Sequence, residues 1–259
     1  MMKRIQLACL VLLSLGPTAF AQEAPKGSRL EAVYVNGRWG YADQSGRVVI
    51  KPEFDAARPF HDGLAQVGVV DEELPELEAR PNIKWGYIDE SGRVLVPLRY
   101  TVLRGFSENL AAAAVLDAEK PENLAPGRGL NLKWGYVDRH GREVIPVRFL
   151  DAGDFAEGLA QVNAGGGGRV GEGSLCGPEP NYGYVDKTGA FVIAPQFTHA
   201  SQFQNGRARV SVGRVTYVGR CLCCGPKFIG RHGFVDKSGK FIPDESKGGE
   251  TLAEEDLEN

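Results

Sequence analysis

Basic charge, long apolar runs and helical periodicity are all scarce in this sequence. Of its 259 residues, 30 are Lys or Arg and 33 are Asp or Glu, so the formal net charge is −3 at pH 7. No basic cluster is available to neutralise a row of phosphates, so we expect no nucleic-acid partner. Beyond Ala21 no stretch approaches the length of about 18 apolar residues that a membrane helix needs, so we expect no membrane span.

Known catalytic signatures are also missing. The sequence lacks a Gly-x-Ser-x-Gly elbow, a His-Glu-x-x-His motif and a P-loop. The four glycines at 165–168 are not followed by Lys and Ser or Thr, which indicates a linker rather than a phosphate cradle. We therefore expect no catalytic residues and no cofactor, and we interpret the chain as a protein other than an enzyme.

The segment from Met1 to Ala21 has the organisation of a secretory signal peptide. Lys3 and Arg4 precede a short apolar run, Leu7 to Leu15, and Ala19-Phe20-Ala21 supplies a small-x-small cleavage site. A membrane anchor is the alternative, but the run is too short to span a bilayer. The mature chain would begin at Gln22 with 28 basic and 33 acidic residues, a net charge of −5. We expect a periplasmic or secreted product, with residues 22–36 as a lead-in.

One phrase occurs five times at nearly constant spacing. It begins at residues 39, 85, 134, 182 and 232, so the spacings are 46, 49, 48 and 50 residues. A period of this length is typical of arrays of stacked supersecondary units, which usually bind other molecules. The residues that we assign to the structural core of the repeats are Trp39, Gly40, Tyr41, Trp85, Gly86, Tyr87, Trp134, Gly135, Tyr136, Tyr182, Gly183, Tyr184, Gly233 and Phe234.

Each phrase predicts a strand that ends in a turn. In the first repeat, Trp39 and Tyr41 alternate with small residues, so both rings project from one face of a strand. Asp43 then begins a four-residue segment that ends in Gly46, a pattern that favours a β-hairpin turn. The aspartates at this position are Asp43, Asp89, Asp138, Asp186 and Asp236. One carboxylate per repeat is too few for calcium, so we interpret them as turn residues.

Two more elements complete a repeat. An apolar strand with a proline follows the turn, and a Phe-x-x-Gly-Leu-Ala-x-Val segment comes next. The glycine of that segment is Gly63, Gly158 and Gly206 in the first, third and fourth repeats and is replaced by Asn109 in the second, which predicts a shared left-handed backbone. Three short strands bury too little area alone, so we expect the units to stack. The fifth repeat ends after its second strand, as a cap or a closing element.

These residues resemble the WG repeat family, also called KWG. The similarity lies in Trp-Gly-Tyr-(Ile/Val)-Asp, the turn glycine, the apolar strand with its proline and the Phe-x-x-Gly-Leu-Ala-x-Val segment, and it covers residues 37–243. The resemblance implies a β-rich repeat protein of bacterial type without shared catalytic residues. We therefore expect an all-β array of about five stacked antiparallel β-hairpin or three-strand repeats, either an open arc or solenoid or a propeller-like ring.

Long connectors separate the third strand of each repeat from the next Trp-Gly. They have 17, 18, 19 and 21 residues, against about 2 to 6 for ordinary connections. Insertions at one repeat position fall on one face of an array, often the binding face. The alternative is that they are longer hairpin arms or covering loops. The connectors comprise residues 68–84, 116–133, 163–181 and 211–231.

Four cysteines of the mature chain fall in the last two connectors: Cys176, Cys221, Cys223 and Cys224. An even number in an exported chain favours disulfides, and we expect Cys176 to bond to one of the other three. A thiolate site for zinc or Cu(I) is the alternative, although Cys-x-Cys-Cys is not a standard zinc spacing. We therefore predict no metal.

The last segment, residues 244–259, is acidic and poor in apolar residues, so we expect a disordered tail. The leading hypothesis for the whole chain is an exported, non-enzymatic binding module that presents its connectors to a protein, a peptide or an envelope component. The alternative is a structural or metal-handling envelope protein whose function depends on the cysteine-containing connectors. The oligomeric state is left open.

Overall fold

The fold consists of short antiparallel strands. The computed structural model describes residues 30–71, 82–117, 131–165, 181–217 and 226–244, without the side chains of residues 214–229. Within these ranges no helix occurs, and none is therefore long and apolar enough to cross a membrane. The expected all-β class is confirmed.

The strands form five sheets, numbered here in chain order. The first contains β1 (Glu31–Val35), β2 (Arg38–Ala42) and β3 (Val48–Phe54). The second contains β4 (Ala56–Ala57), β5 (Leu64–Val70), β6 (Ile83–Asp89) and β7 (Val94–Tyr100). The third contains β8 (Val102–Leu103), β9 (Leu110–Leu116), β10 (Leu132–Asp138) and β11 (Glu143–Phe149). The fourth contains β12 (Asp151–Ala152), β13 (Ala160–Asn163), β14 (Tyr182–Val185) and β15 (Phe191–Phe197). The fifth contains β16 (His199–Ala200), β17 (Arg207–Tyr217), β18 (Pro226–Asp236) and β19 (Phe241–Pro243).

Each sheet is a meander whose strand order follows the chain, and its boundaries are offset from those of the sequence repeat. The chain passes from one sheet to the next through single residues, Asp55, Thr101, Leu150 and Thr198. The third strand of one repeat therefore pairs with the Trp-Gly strand of the next, as in the β5–β6 ladder of Leu64 to Val70 with Ile83 to Asp89. The lead-in contributes β1, which pairs with β2.

The inner sheets are buried on both faces. Along β9, Ala112 and Ala114 pack with residues of the fourth sheet, whereas Ala111 and Ala113 pack with residues of the second. Side chains alternate between the faces of a strand, so consecutive buried residues mean that both faces are covered. The stacking predicted from the repeats is confirmed.

A tyrosine from each of the first four phrases joins neighbouring sheets. The ring of Tyr136 lies 4.8 Å from that of Phe155, and its hydroxyl donates to the carbonyl oxygen of Gly153 over 2.7 Å. Tyr41, Tyr87 and Tyr184 make the same pair of contacts with the sheet that follows each of them. A buried hydroxyl needs such a partner, so the contact fixes the spacing of two sheets as well as burying a ring.

The glycine after each Trp lies beneath a bulge. In the second sheet, Trp85 pairs with Tyr100 but Tyr87 pairs with Val96, so β7 carries extra residues opposite Gly86. A Cβ at Gly86 would lie 2.5 Å from the Val96 carbonyl oxygen. The proline of the repeat, here Pro97, lies within this bulged edge strand, where its missing N–H is tolerated. The bulge therefore explains both the glycine and the proline.

The fifth sheet is the last one in the described part of the chain, and its outer face is polar. On β17, Ala208 and Val210 pack towards the fourth sheet, whereas Arg207 and Arg209 alternate with them and are exposed. Phe234, which stands where inner sheets have the repeat tyrosine, is only half-buried. A polar outer face is what the last unit of an open stack needs, so of the two interpretations of the fifth repeat this face favours the cap.

Replacing Gly86 with Ala tests the bulge. We expect the free energy of unfolding to fall by about 2 kcal/mol, because the methyl group would overlap fixed backbone rather than a movable side chain. Urea denaturation followed by tryptophan fluorescence measures the change. Gly105→Ala is the matched control, since a Cβ at Gly105 meets no atom within 4 Å. Equal losses in the two variants would contradict this account.

Removing one tyrosine hydroxyl tests the contact between sheets. We expect Tyr136→Phe to lower the free energy of unfolding by about 1 to 2 kcal/mol, because the buried Gly153 carbonyl loses its donor. Tyr34→Phe removes a hydroxyl from a ring that is 60% exposed and should change stability by less than about 0.5 kcal/mol. Chemical denaturation of both variants gives the comparison, and an unchanged Tyr136→Phe protein would refute the role of the hydroxyl.

Candidate interaction surface

All four connectors leave the array at the same end of the sheets. Each joins two adjacent antiparallel strands of one sheet: β5 and β6, β9 and β10, β13 and β14, and β17 and β18. The Asp turns lie at the opposite end of the same strands. We call these the insert end and the turn end, and we call residues 72–81, 118–130, 166–180 and 218–225 the inserts.

The first two inserts begin at paired charges. Asp71 has a side chain that is only 5% exposed, and its carboxylate lies 2.9 Å from the Lys84 ammonium. Its N–H donates to the carbonyl oxygen of Asn82 over 2.6 Å. Asp117 and Lys133 form the corresponding pair at 3.6 Å in the third sheet. The ends of both inserts are therefore held together by an ion pair and a ladder hydrogen bond.

The third insert begins at an asparagine instead. The Asn163 side-chain oxygen accepts hydrogen bonds from the N–H groups of Gly165 and Asn181, at 2.9 and 3.2 Å. Beside them, the Tyr182 hydroxyl donates to Asp151 over 2.8 Å. Burial and this carboxylate raise the pKa of Tyr182, so the hydroxyl keeps its proton and remains a donor.

The fourth connector is largely a hairpin arm. β17 and β18 pair without interruption from Arg207–Asp236 out to Tyr217–Pro226, so most of residues 211–231 is strand. From the sequence, the connectors are either insertions on a binding face or longer hairpin arms. Over the residues that the structure describes, the fourth connector is a hairpin arm. In the first two connectors, residues at both ends also belong to strands.

Several predicted features lie outside the described residues. They include the signal peptide, the inserts themselves, the tail after Asp244, and the cysteines Cys176, Cys221, Cys223 and Cys224. The disulfide and metal interpretations of the cysteines stay predictions. Among the described residues, no group of three or more His, Cys, Asp or Glu side chains is placed to hold a metal ion.

The turn aspartates all stabilise their own hairpins. The Asp43 carboxylate accepts from the Ser45 N–H at 3.0 Å, the Ser45 hydroxyl at 2.5 Å and the Arg47 N–H at 3.1 Å. Asp89, Asp138, Asp186 and Asp236 accept the same two backbone hydrogen bonds in their turns. The hydrogen bond from Ser45, followed by those from Arg47, lowers the pKa of Asp43 to about 2. One carboxylate oxygen of each aspartate is therefore already occupied by donors within the turn.

The turn between the first two strands of the second to fifth sheets also has a defined geometry. In the second sheet, the two central residues of this turn, Asp62 and Gly63, both have positive φ. The flanking residues, His61 and Leu64, exchange two backbone hydrogen bonds. Two consecutive positive φ values define a type I′ turn. The predicted left-handed positions, including Asn109 at φ 72°, all lie in turns of this kind.

Sequence reasoning missed a polar contact between sheets at the turn end. The Glu108 carboxylate accepts from the Gly158 N–H at 3.1 Å and lies 3.0 Å from the Lys187 ammonium. Glu157 repeats the arrangement with Gly206 and Lys237. The signal was present as an acid before three of the four left-handed residues and a base after three of the five turn aspartates, namely Asp62, Glu108 and Glu157 with Arg139, Lys187 and Lys237. The wide separation of acid and base along the chain concealed the pairing.

The repeats match a protein-family model. The model, described as WG containing repeat, matches residues 39–69, 85–115, 134–167 and 182–214. Each match starts at the first residue of a repeated phrase. The fifth phrase lies beyond the last match, although its residues form β18. No curated protein matches the sequence.

The lowered pKa of the turn aspartates predicts acid sensitivity. A folded pKa of about 2 for Asp43 lies below the ordinary value of about 4, so its contribution is complete above about pH 4 and is lost towards pH 2. We expect the stability gap between the wild type and Asp43→Asn to shrink over that interval in thermal unfolding. Ser45→Ala should bring the pKa of Asp43 back towards 4 in a carboxyl-carbon NMR titration. A gap independent of pH would contradict the assignment.

Proposed function

Because the chain belongs to the WG-containing repeat family, we propose that it is an exported, non-enzymatic interaction module whose inserts bind a protein, a peptide or an envelope component. The observation that carries this proposal is the common exit of the four inserts from one end of a stacked array. A stack with that geometry holds several variable segments side by side, as binding proteins with rigid scaffolds do.

The division between scaffold and inserts supports the proposal. The family matches cover the strands and turns and end close to the start of each insert, at residues 69, 115, 167 and 214. The residues that stack the sheets therefore carry the family pattern, whereas the inserts lie almost entirely outside the family matches. Additions at one repeat position gather on one side of an array, and this is often the side that binds.

The anchoring of the inserts also supports a binding role. Asp71 and Lys84 fix the two ends of the first insert, and Asn163 fixes those of the third. Holding the ends of a loop lowers the entropy that it loses when it binds. The first insert is acidic, with Glu72, Glu73, Glu76 and Glu78. A partner of this insert would present basic side chains.

Export is supported by the sequence of the segment from Met1 to Ala21. The basic start, the apolar run and the small-x-small site are the three parts of a signal peptide. The cysteines agree with export as well. The four cysteines of the mature chain fall in two inserts that leave neighbouring sheets at the same end, a placement that suits disulfides, and disulfides form in oxidising compartments. This placement is also what favours the second candidate, a structural or metal-handling role for those inserts.

Cross-linking in the native envelope tests the proposal. Residues 72–81 are replaced by a Gly-Ser linker of equal length, which keeps Asp71 and Lys84 and so the root of the insert. We expect the wild type to give cross-links from the inserts to one discrete partner, and the replaced protein to lose those that involve the first insert. The matched control changes Gln44 and Glu90 to Ser at the turn end and should keep every cross-link.

A charge variant sharpens the experiment. Changing Glu72, Glu73, Glu76 and Glu78 to Gln preserves the length and polarity of the insert and removes its charge. If the partner is basic, this variant should lose the partner as the linker variant does. Cross-links confined to the chain itself in the wild type would overturn the interaction role and favour the cysteine-based alternative.

A further inference from the structure

A cleft opens between the second and third sheets, away from the inserts. It encloses about 330 Å³, and its lining includes Arg58, Tyr87, Gly105, Phe106 and Arg139. Arg58 belongs to the second sheet, where its N–H bonds to Gln66, whereas Gly105 and Arg139 belong to the third. The cleft therefore combines two guanidinium groups with aromatic walls.

The next interface along the array shows what the cleft lacks. Between the third and fourth sheets, the Arg104 guanidinium lies over the Trp134 ring at 4.9 Å, and its Nη1 is 3.9 Å from the Asp154 carboxylate. Arg58 is the counterpart of Arg104 one repeat earlier and lies over Trp85 at 5.2 Å. Gly105 stands where the later interface has Asp154.

Arg58 therefore keeps its aromatic contact but lacks the corresponding acid. Among the described residues, no carboxylate lies within 4.0 Å of its guanidinium nitrogens. A Cβ built at Gly105 would meet no atom within 4 Å, so the space that Asp154 fills in the later interface is open in this one.

The surrounding rings confirm that this interface is the most open of those with a Tyr–Phe pair. Phe106 is half-buried, whereas its counterparts Phe60, Phe155 and Phe203 are 1% to 3% exposed. Tyr87 is 7% exposed, and the other three repeat tyrosines are fully buried. Phe106 thus offers apolar surface to a molecule in the cleft, and the narrow exposed edge of Tyr87 lines it as well.

The second cation is positioned from the opposite wall. The Arg139 guanidinium lies 5.1 Å from the centre of the Phe106 ring and 3.6 Å from the Asp62 carboxylate. Two guanidinium groups and one carboxylate leave an excess of one positive charge. A single carboxylate from outside would neutralise it, and guanidinium groups bind carboxylates with particular strength.

We propose that this cleft binds a carboxylate attached to a small apolar body, with the carboxylate in the place that Asp154 occupies one repeat later. Arg58 and Arg139 supply the charge, and Tyr87 and Phe106 contact the apolar body. This site is independent of the inserts, because its lining residues belong to the strands and to the turn end.

Benzoate is a suitable probe, and benzamide is its neutral counterpart. In an amide NMR titration of the mature protein, we expect benzoate to shift the Gly105 and Phe106 signals saturably, with a dissociation constant below about 10 mM, and benzamide to leave them unchanged. Arg58→Gln should weaken benzoate binding by at least about tenfold, because it removes the cation and keeps a polar side chain.

Two substitutions at Gly105 make the test specific. Gly105→Asp supplies the missing carboxylate from the chain itself, so we expect it to reduce benzoate affinity by about tenfold or more. Gly105→Asn has the same shape without the charge and should bind benzoate nearly as the wild type does. Thermal unfolding of each variant shows that the fold is retained.

Three results would overturn the proposal. One is the absence of saturable benzoate shifts at Gly105 and Phe106 in the folded wild type. Another is equal benzoate affinity in the Asp and Asn variants. The third is a set of shifts spread evenly over the arginines of all five sheets, which would indicate charge attraction without a site.

Discussion

The contact on which the array depends is the tyrosine that each sheet places into the next. Each of these tyrosines contacts a phenylalanine of the following sheet in a tilted or edge-on arrangement at 4.7 to 4.9 Å, and each donates to a carbonyl oxygen 17 residues further along the chain. The four are Tyr41, Tyr87, Tyr136 and Tyr184. Burial of the ring between the two sheets is favourable, and the hydrogen bond of the hydroxyl sets the distance between them, because a buried donor without an acceptor is costly. Once that distance is set, the residues between the sheets must be small or well packed. The alanines of β9 meet this requirement on both faces.

Stacking also explains the backbone peculiarities of the repeat. The crossover from one sheet to the next takes a single residue, so the edge strand must bend sharply just before it. The bulge opposite the Trp-Gly glycine provides this bend, since an extra residue in one strand increases its local twist. The bulge then admits only glycine beneath it, and the proline lies where no ladder hydrogen bond is needed. The conspicuous residues of the phrase therefore serve the connection between sheets rather than any chemical step.

The two ends of the sheets have different characters. At the turn end, aspartates, left-handed residues and the contacts of Glu108 and Glu157 tie each sheet to itself and to the next. At the insert end, the described contacts hold the roots of the inserts, whose sequences differ in length and composition. Because both ends of each insert lie in one sheet, an insert can change without disturbing the stacking. This separation allows one scaffold to carry several variable segments.

The sequence by itself determined the β class, the period, the turn aspartates and the left-handed positions, because these depend on residues within a few positions of one another. It also indicated that the units stack, since one unit has too little apolar surface to stand alone. Only the tertiary structure decided that a sheet joins two successive repeats, because pairing of Leu64 with Asp89 is formed across an insert that carries no pairing signal. The tertiary structure likewise decided the contact of Glu108 with Lys187 and the open space beside Gly105, which arise between residues far apart in the chain. Turns and strands depend on residues that are neighbours in the sequence, whereas a site between two sheets depends on their tertiary packing.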